Sequence, residues 1–135
     1  MTITNSIETP VIKAIDGLSM TAAGGATESR TSLWFDTSGW AEMAVAWEID
    51  GANTDVDVII HISSQGEYEL NNKTATTDDY VAVTLATAHG DQVYTRKDGE
   101  DEDALTRPMR SCRVYVENDS GTAVTSMTVW LEGVA

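Results

Sequence analysis

Basic residues are scarce in this chain. Among 135 residues, 22 are acidic and 8 are basic, which gives a formal net charge of −14 and a pI near 4.2. A field of this sign repels the phosphates of nucleic acids and the headgroups of anionic membranes. The composition therefore argues against DNA binding and membrane-surface binding, and it favours cationic partners, divalent cations or a salty environment.

Cysteine is almost absent, because Cys112 is the only one. A single cysteine excludes an intrachain disulfide. Cys112 alternates with Val114 and Val116 in a strand-like run, and free cysteine is among the most buried residue types. The pattern predicts a buried, inert thiol. An intermolecular bridge or a modification site is the alternative.

Long apolar runs are also missing, since no stretch approaches the roughly 18 residues of a membrane span. The first ten residues, MTITNSIETP, lack the basic region and the apolar stretch of a secretory signal. We therefore expect synthesis in the cytoplasm, with Met1 as the first residue of the mature protein. A chain of this length suits one domain with one hydrophobic core.

Apolar and polar residues alternate with the period of two that is typical of β-strands. In Trp40–Ile49 the alternation places Met43, Val45 and Trp47 on one face. In Val56–Ser63 it turns Asp57, Ile59 and His61 outward. The further candidate segments are Val11–Ile15, Leu18–Ala22, Thr31–Asp36, Glu67–Leu70, Tyr80–Thr87, Ser111–Glu117 and Thr122–Glu132.

These segments predict an all-β, single-domain, antiparallel β-sandwich or jelly-roll-like barrel of about eight short strands. The last two segments flank Asn118-Asp119-Ser120-Gly121, which predicts a hairpin. The final strand buries either Met127, Val129 and Leu131, or else Val124 and Trp130. The sequence leaves that choice of face open.

Two polar segments stand outside this pattern. Residues 1–10 contain only scattered isoleucines, Ile3 and Ile7, and end at a proline. We interpret them as an extended N-terminal arm preceding a β-sandwich domain over residues 11–135. Residues 97–110 form a long charged loop of the kind that is usually functional or mobile.

No motif of a known catalytic class is present. The chain lacks a nucleophile elbow, a P-loop, a dinucleotide-binding glycine pattern and the paired histidines of metalloproteases. It has two histidines, His61 on a predicted strand and His89 in a predicted turn. We therefore predict a protein that is not an enzyme and that needs no cofactor.

One acidic run has a spacing compatible with calcium binding. Asp50, Asn53, Asp55 and Asp57 occur within D-G-A-N-T-D-V-D, and oxygen ligands at such intervals can surround Ca²⁺. The run lacks the glutamate that completes an EF-hand loop. An ordinary Asp/Asn-rich turn is the favoured interpretation.

Some residues are candidates for contacts with other proteins. Trp47 alternates with core residues, whereas Trp40 is the best candidate for an exposed aromatic anchor. Trp34 and Phe35 are adjacent in one strand, so one of them must point away from the core. The predicted interface residues are Ile3, Ile7, Trp40, Ile59, Arg107 and Arg110, and the two arginines, together with Arg113, follow the acidic residues 98–103.

The strings SLWFDTSGWAEMAVAWEIDG and VDVIIHISSQG, with the ending RSCRVYVENDSGTAVTSMTVWLEG, resemble small β-sandwich virion proteins of tailed bacteriophages, among them capsid decoration proteins. The resemblance implies a structural protein of the virion that binds the major capsid protein and its own copies. Strong acidity favours the outside of the shell, since an inner position would face packaged DNA. The alternative is a carbohydrate- or receptor-binding module of a tail or fibre component.

Overall fold

The computed structural model describes residues 10–51, 55–88, 92–95 and 109–134. Its strands, in chain order, are β1 (Val11–Met20), β2 (Ser29–Thr31), β3 (Phe35–Asp36), β4 (Glu42–Asp50), β5 (Val56–Ser63), β6 (Val81–Ala88), β7 (Gln92–Thr95), β8 (Ser111–Asn118) and β9 (Val124–Val134). One short helix, α1 (Glu67–Asn71), separates β5 from β6.

The strands form two antiparallel sheets that face each other. The four-stranded sheet has the order β1-β9-β4-β7, and the five-stranded sheet has the order β2-β8-β5-β6 with β3 also paired to β8. The inward side chains of both sheets make one apolar core, in which Val58, Ile60 and Leu131 are fully buried. The predicted all-β sandwich is confirmed.

The first strand is longer than its sequence indicates. The predicted segment Val11–Ile15 and the first three residues of Leu18–Ala22 belong to the single strand β1, which ends at Met20 and pairs with β9. The pairing contains register shifts, and Gly17 has φ of +62°. Glycine adopts this left-handed conformation without the steric penalty of a Cβ. The strand therefore continues through an irregularity that resembles a break in the sequence pattern.

The predicted hairpin between the last two strands is wrong. β8 belongs to the five-stranded sheet and β9 to the four-stranded sheet, so the connection between them crosses the sandwich. The buried Asn118 organises this crossing: its Nδ2 donates to the carbonyls of Thr21 (3.0 Å) and Thr122 (2.8 Å), and its Oδ1 accepts from the Ser120 hydroxyl (2.6 Å). A turn sequence marks a chain reversal without specifying which sheet the next strand joins.

The run Glu67–Leu70 is helical rather than extended, as part of α1. Leu70 is its buried anchor. Asn71, the last residue of α1, makes two hydrogen bonds with the backbone of Trp34. Its Oδ1 accepts from the Trp34 N–H (2.8 Å) and its Nδ2 donates to the Trp34 carbonyl (3.0 Å). The helix thus holds the segment between β2 and β3 in place.

The core agrees with the predictions for β9, Trp47 and Cys112. β9 buries Met127, Val129 and Leu131, as in the first of the two alternatives, and Val124 is buried as well. Trp47 lies in the core, as expected. Cys112 is fully buried, and burial raises the pKa of its thiol far above the usual range. The sulfur is therefore an inert part of the core.

Candidate interaction surface

The register between β5 and β8 builds an ordered row of side chains on the outer face of the five-stranded sheet. The inward residues of both strands are in the core, so their neighbours face outward. Three outward pairs are cross-strand partners: Asp57 with Glu117, Ile59 with Tyr115, and His61 with Arg113. We call these residues the outer-face row. It has an acidic end, an apolar centre and a basic end.

Aromatic rings immobilise the arginine at the basic end. The Arg113 guanidinium carbon lies 4.7 Å from the centroid of the Trp34 ring and 5.1 Å from that of Tyr80. The imidazole of His61 stacks on Tyr80, with centroids 4.0 Å apart and 14° between the ring planes. A guanidinium held over aromatic faces is stabilised by cation–π attraction and loses little further entropy on binding.

His61 is held in its neutral form by this environment. Although it lies on the outer face as predicted, it is only 7% exposed, because Trp34 and Tyr80 cover it. Arg113 Nε donates to His61 Nδ1 at 2.9 Å, so the ring proton of the neutral imidazole is on Nε2. Burial, with a smaller contribution from the charge of Arg113, lowers the pKa of His61 to about 4. A ring with this pKa is a weak base at neutral pH.

Arg113 has no anionic partner within the described residues. No carboxylate of that part of the chain lies within ion-pair distance of it. Its Nε–H binds His61, and the side chain is only half-buried. A planar guanidinium held in one orientation is suited to bind a carboxylate through its terminal N–H groups.

Carboxyl groups crowd together at the opposite end of the row. Oxygens of Asp57, Glu117 and Asp119 all lie within 4.8 Å of one another. A hydrogen bond to Asp57 is the largest cause that raises the pKa of Asp119, to about 6, and repulsion from Glu117 and Asp55 adds to it. Such a cluster offers oxygens to a hard cation such as Ca²⁺ or to a guanidinium.

The acidic cluster is not the one that spacing along the chain suggested. Asp50 belongs to β4 and pairs with Ser126, and Asn53 lies outside the described residues. Glu117 and Asp119 replace them, because antiparallel pairing brings the end of β8 beside the start of β5. The outward alternation of both strands was visible in the sequence, but their register was not.

The predicted interface residues are dispersed. Ile59 lies half-buried at the centre of the outer-face row. Trp40 is half-buried rather than exposed, and its indole packs on Gly133 of β9. Arg110 is exposed and its side chain lies beside Gly66. Ile3, Ile7 and Arg107 fall in parts of the chain that the structure does not describe.

The tryptophans do not form a stacking platform for sugars. All four are buried or half-buried, and Trp34, the one that points away from the core, is only 3% exposed. Tyr68 of α1 is instead the most exposed large aromatic residue of the described chain, at 76%. Trp34 therefore presents no open ring face for stacking on a sugar, and Gly133 covers part of the Trp40 ring.

No helix in the described part of the chain is long and apolar enough to cross a membrane. Comparison with known proteins finds no family model, no curated protein and no solved structure that matches this chain. The outer-face row is therefore interpreted from its own chemistry.

Proposed function

We propose that the protein acts by binding and assembly rather than by catalysis, as a structural protein on the outside of a bacteriophage particle. In this proposal it binds the shell through the major capsid protein, associates with its own copies and stabilises the particle. The observation that supports it best is the outer-face row, in which a half-buried apolar centre lies between groups of opposite charge. Interfaces combine an apolar centre with a polar rim in this way.

The chemistry of the described residues supports a binding role further. His61 is neutral and covered by aromatic rings, and its hydrogen bond is to an arginine rather than to a nucleophile. Cys112 is buried in the core. The strong negative charge fits an exterior position, because the phosphates of packaged DNA would repel so acidic a protein inside the shell.

Co-sedimentation with purified capsids tests the proposal, with light scattering to follow self-association. The variant Ile59→Asp places a charge at the centre of the outer-face row and should abolish both kinds of binding. Thr125→Asp is the matched control, because Thr125 is exposed on the four-stranded sheet and the variant adds the same charge. Circular dichroism checks that both variants fold. A wild-type protein that stays monomeric and binds no part of the virion would overturn the proposal.

A further inference from the structure

The two charged ends of the outer-face row are too far apart to neutralise each other within one molecule. Arg113 and Glu117 lie on the same face of β8 with Tyr115 between them. Four residues of a strand span about 13 Å. Accordingly, the described residues contain no ion pair between these ends. Among the described residues Arg113 has no carboxylate partner, while the carboxyl groups of the opposite end crowd one another.

A two-fold axis would place these ends opposite each other in a second copy. If two outer faces meet with their β8 strands antiparallel and Tyr115 at the centre, position 113 of one copy lies opposite position 117 of the other. The symmetry then makes the same contact twice, as in every isologous interface. The row is therefore self-complementary in charge.

The residues around the centre of the row permit this approach. Ile59 and Tyr115 are half-buried in the single chain. Beside them on β6, Ala82 and Thr84 are exposed and small, and they pair with His61 and Ile59. Small residues therefore flank the centre of the row on the β6 side, and contact between two such faces removes the apolar surface of Ile59 and Tyr115 from water.

We propose that a second copy of this chain docks on the outer face of the five-stranded sheet about a two-fold axis, with Arg113 of each copy bound to Glu117 and Asp119 of the other. This inference rests on the self-association in the proposed function and names the surface that performs it. The aromatic rings hold the guanidinium ready, so little entropy is lost when the carboxylate arrives.

The interface is small. Four strands at about 4.8 Å spacing give a width of about 19 Å, and the 8 residues of β5 or β8 span about 26 Å. One face is then about 500 Å², and the two faces together bury about 1,000 Å², which is below the roughly 1,200 Å² that separates weak from standard complexes. Association in free solution is therefore weak. It becomes strong where a shell holds many copies close together, because the effective concentration is then high.

A pair of charge-reversed variants tests the geometry. Variant one is Arg113→Glu, which makes both ends of the row acidic. Variant two combines Asp57→Asn, Glu117→Arg and Asp119→Asn, which makes both ends basic because no carboxylate of the cluster remains beside the new arginine. Each variant repels its own copies across the two-fold axis, whereas the two variants complement each other. Both proteins remain strongly acidic overall, so general attraction between them does not explain a complex.

Sedimentation equilibrium of each protein alone and of the mixture is the measurement. We expect the wild type to self-associate and each variant alone to associate at least about tenfold more weakly. The equimolar mixture should regain association. Recovery in the mixture also shows that both variants fold. If folding fails in variant one, Arg113→Lys, which keeps the charge but loses the planar fork, should weaken association to a smaller extent.

Three results would overturn the inference. A mixture that associates no better than its components would show that these ends do not meet. A wild type that is monomeric at every concentration while still binding capsids would refute the two-fold pair and leave the proposed function standing. A wild type that neither associates nor binds capsids would refute the two-fold pair and the proposed function together.

Discussion

Acidification should destabilise this protein through one histidine. Burial and the neighbouring Arg113 charge lower the pKa of His61 from 6.5 to about 4. His61 therefore becomes protonated below pH 6.5 in the unfolded chain, but only below about pH 4 in the folded protein. Because the folded-state pKa is depressed, the stabilisation is fully present above pH 6.5 and is lost as the pH falls towards 4.

The size of the effect follows from the shift. A difference of one pKa unit corresponds to about 1.4 kcal/mol, so a change from 6.5 to about 4 yields about 3 kcal/mol between pH 7 and pH 4. Only 7% of the surface of His61 is exposed, so we take about 3 kcal/mol as the upper value of the effect. The effect is a large part of the total, since the free energy of unfolding of a whole domain is typically about 5–15 kcal/mol.

Urea unfolding of the wild type and of His61→Asn, measured between pH 7 and pH 4, isolates the contribution. Asparagine does not titrate, and its Oδ1 can accept the hydrogen bond that Arg113 Nε donates to His61 Nδ1. We expect the wild type to lose about 3 kcal/mol more than the variant over this range. The absolute stability of the variant at pH 7 does not affect the result, because the comparison uses only the change in the free energy of unfolding with pH.

Asp119 provides the control, because its shift has the opposite sign. Its pKa is raised to about 6, so protonation relieves the carboxyl crowding and favours the folded state as the pH falls through that value. Asp119→Asn should remove this compensation and steepen the loss of stability in acid. If the free energy difference between wild type and His61→Asn stayed constant from pH 7 to pH 4, the account of a buried neutral histidine would be refuted.

Three further predictions concern packing, reactivity and charge. Gly133→Ala should destabilise the protein by about 1–3 kcal/mol in urea unfolding, because the new Cβ would overlap the Trp40 ring. Gly121→Ala is the control and should be close to neutral in the same assay, because no atom lies within 4 Å of the new Cβ. Equal effects of the two substitutions would contradict the packing of Trp40. Cys112 should resist thiol reagents in the native state and react after denaturation, and rapid native labelling would show that the core opens. Self-association should tighten between about 10 and about 150 mM salt, as the Debye length falls from about 30 to about 8 Å and the repulsion between copies of net charge −14 is screened. A steep weakening would show instead that attraction between oppositely charged groups outweighs this repulsion.

The candidate surface could be predicted only in part. Outward alternation in β5 is sufficient to place Asp57, Ile59 and His61 on one face. The burial of His61 could not be foreseen, because Trp34 and Tyr80 reach it from distant parts of the chain. Trp40 was expected to be exposed, but a glycine on β9 leaves room for its ring to pack.

The sequence by itself determined the features that follow from alternation between neighbouring residues, namely where strands lie and which side chains face the core. Strict alternation identified the strands β4 and β5 and the core positions of Val45, Trp47 and Ile60, because successive side chains of a strand point to opposite faces. The tertiary structure alone decided that β8 and β9 lie in different sheets and that β5 pairs with β8 in the observed register. These choices depend on contacts between residues far apart in the chain, for which a turn sequence or a period of two contains no information. Alternation within β8 already places Arg113, Tyr115 and Glu117 on one face, whereas the register with β5 adds Asp57, Ile59 and His61 beside them and so completes the outer-face row.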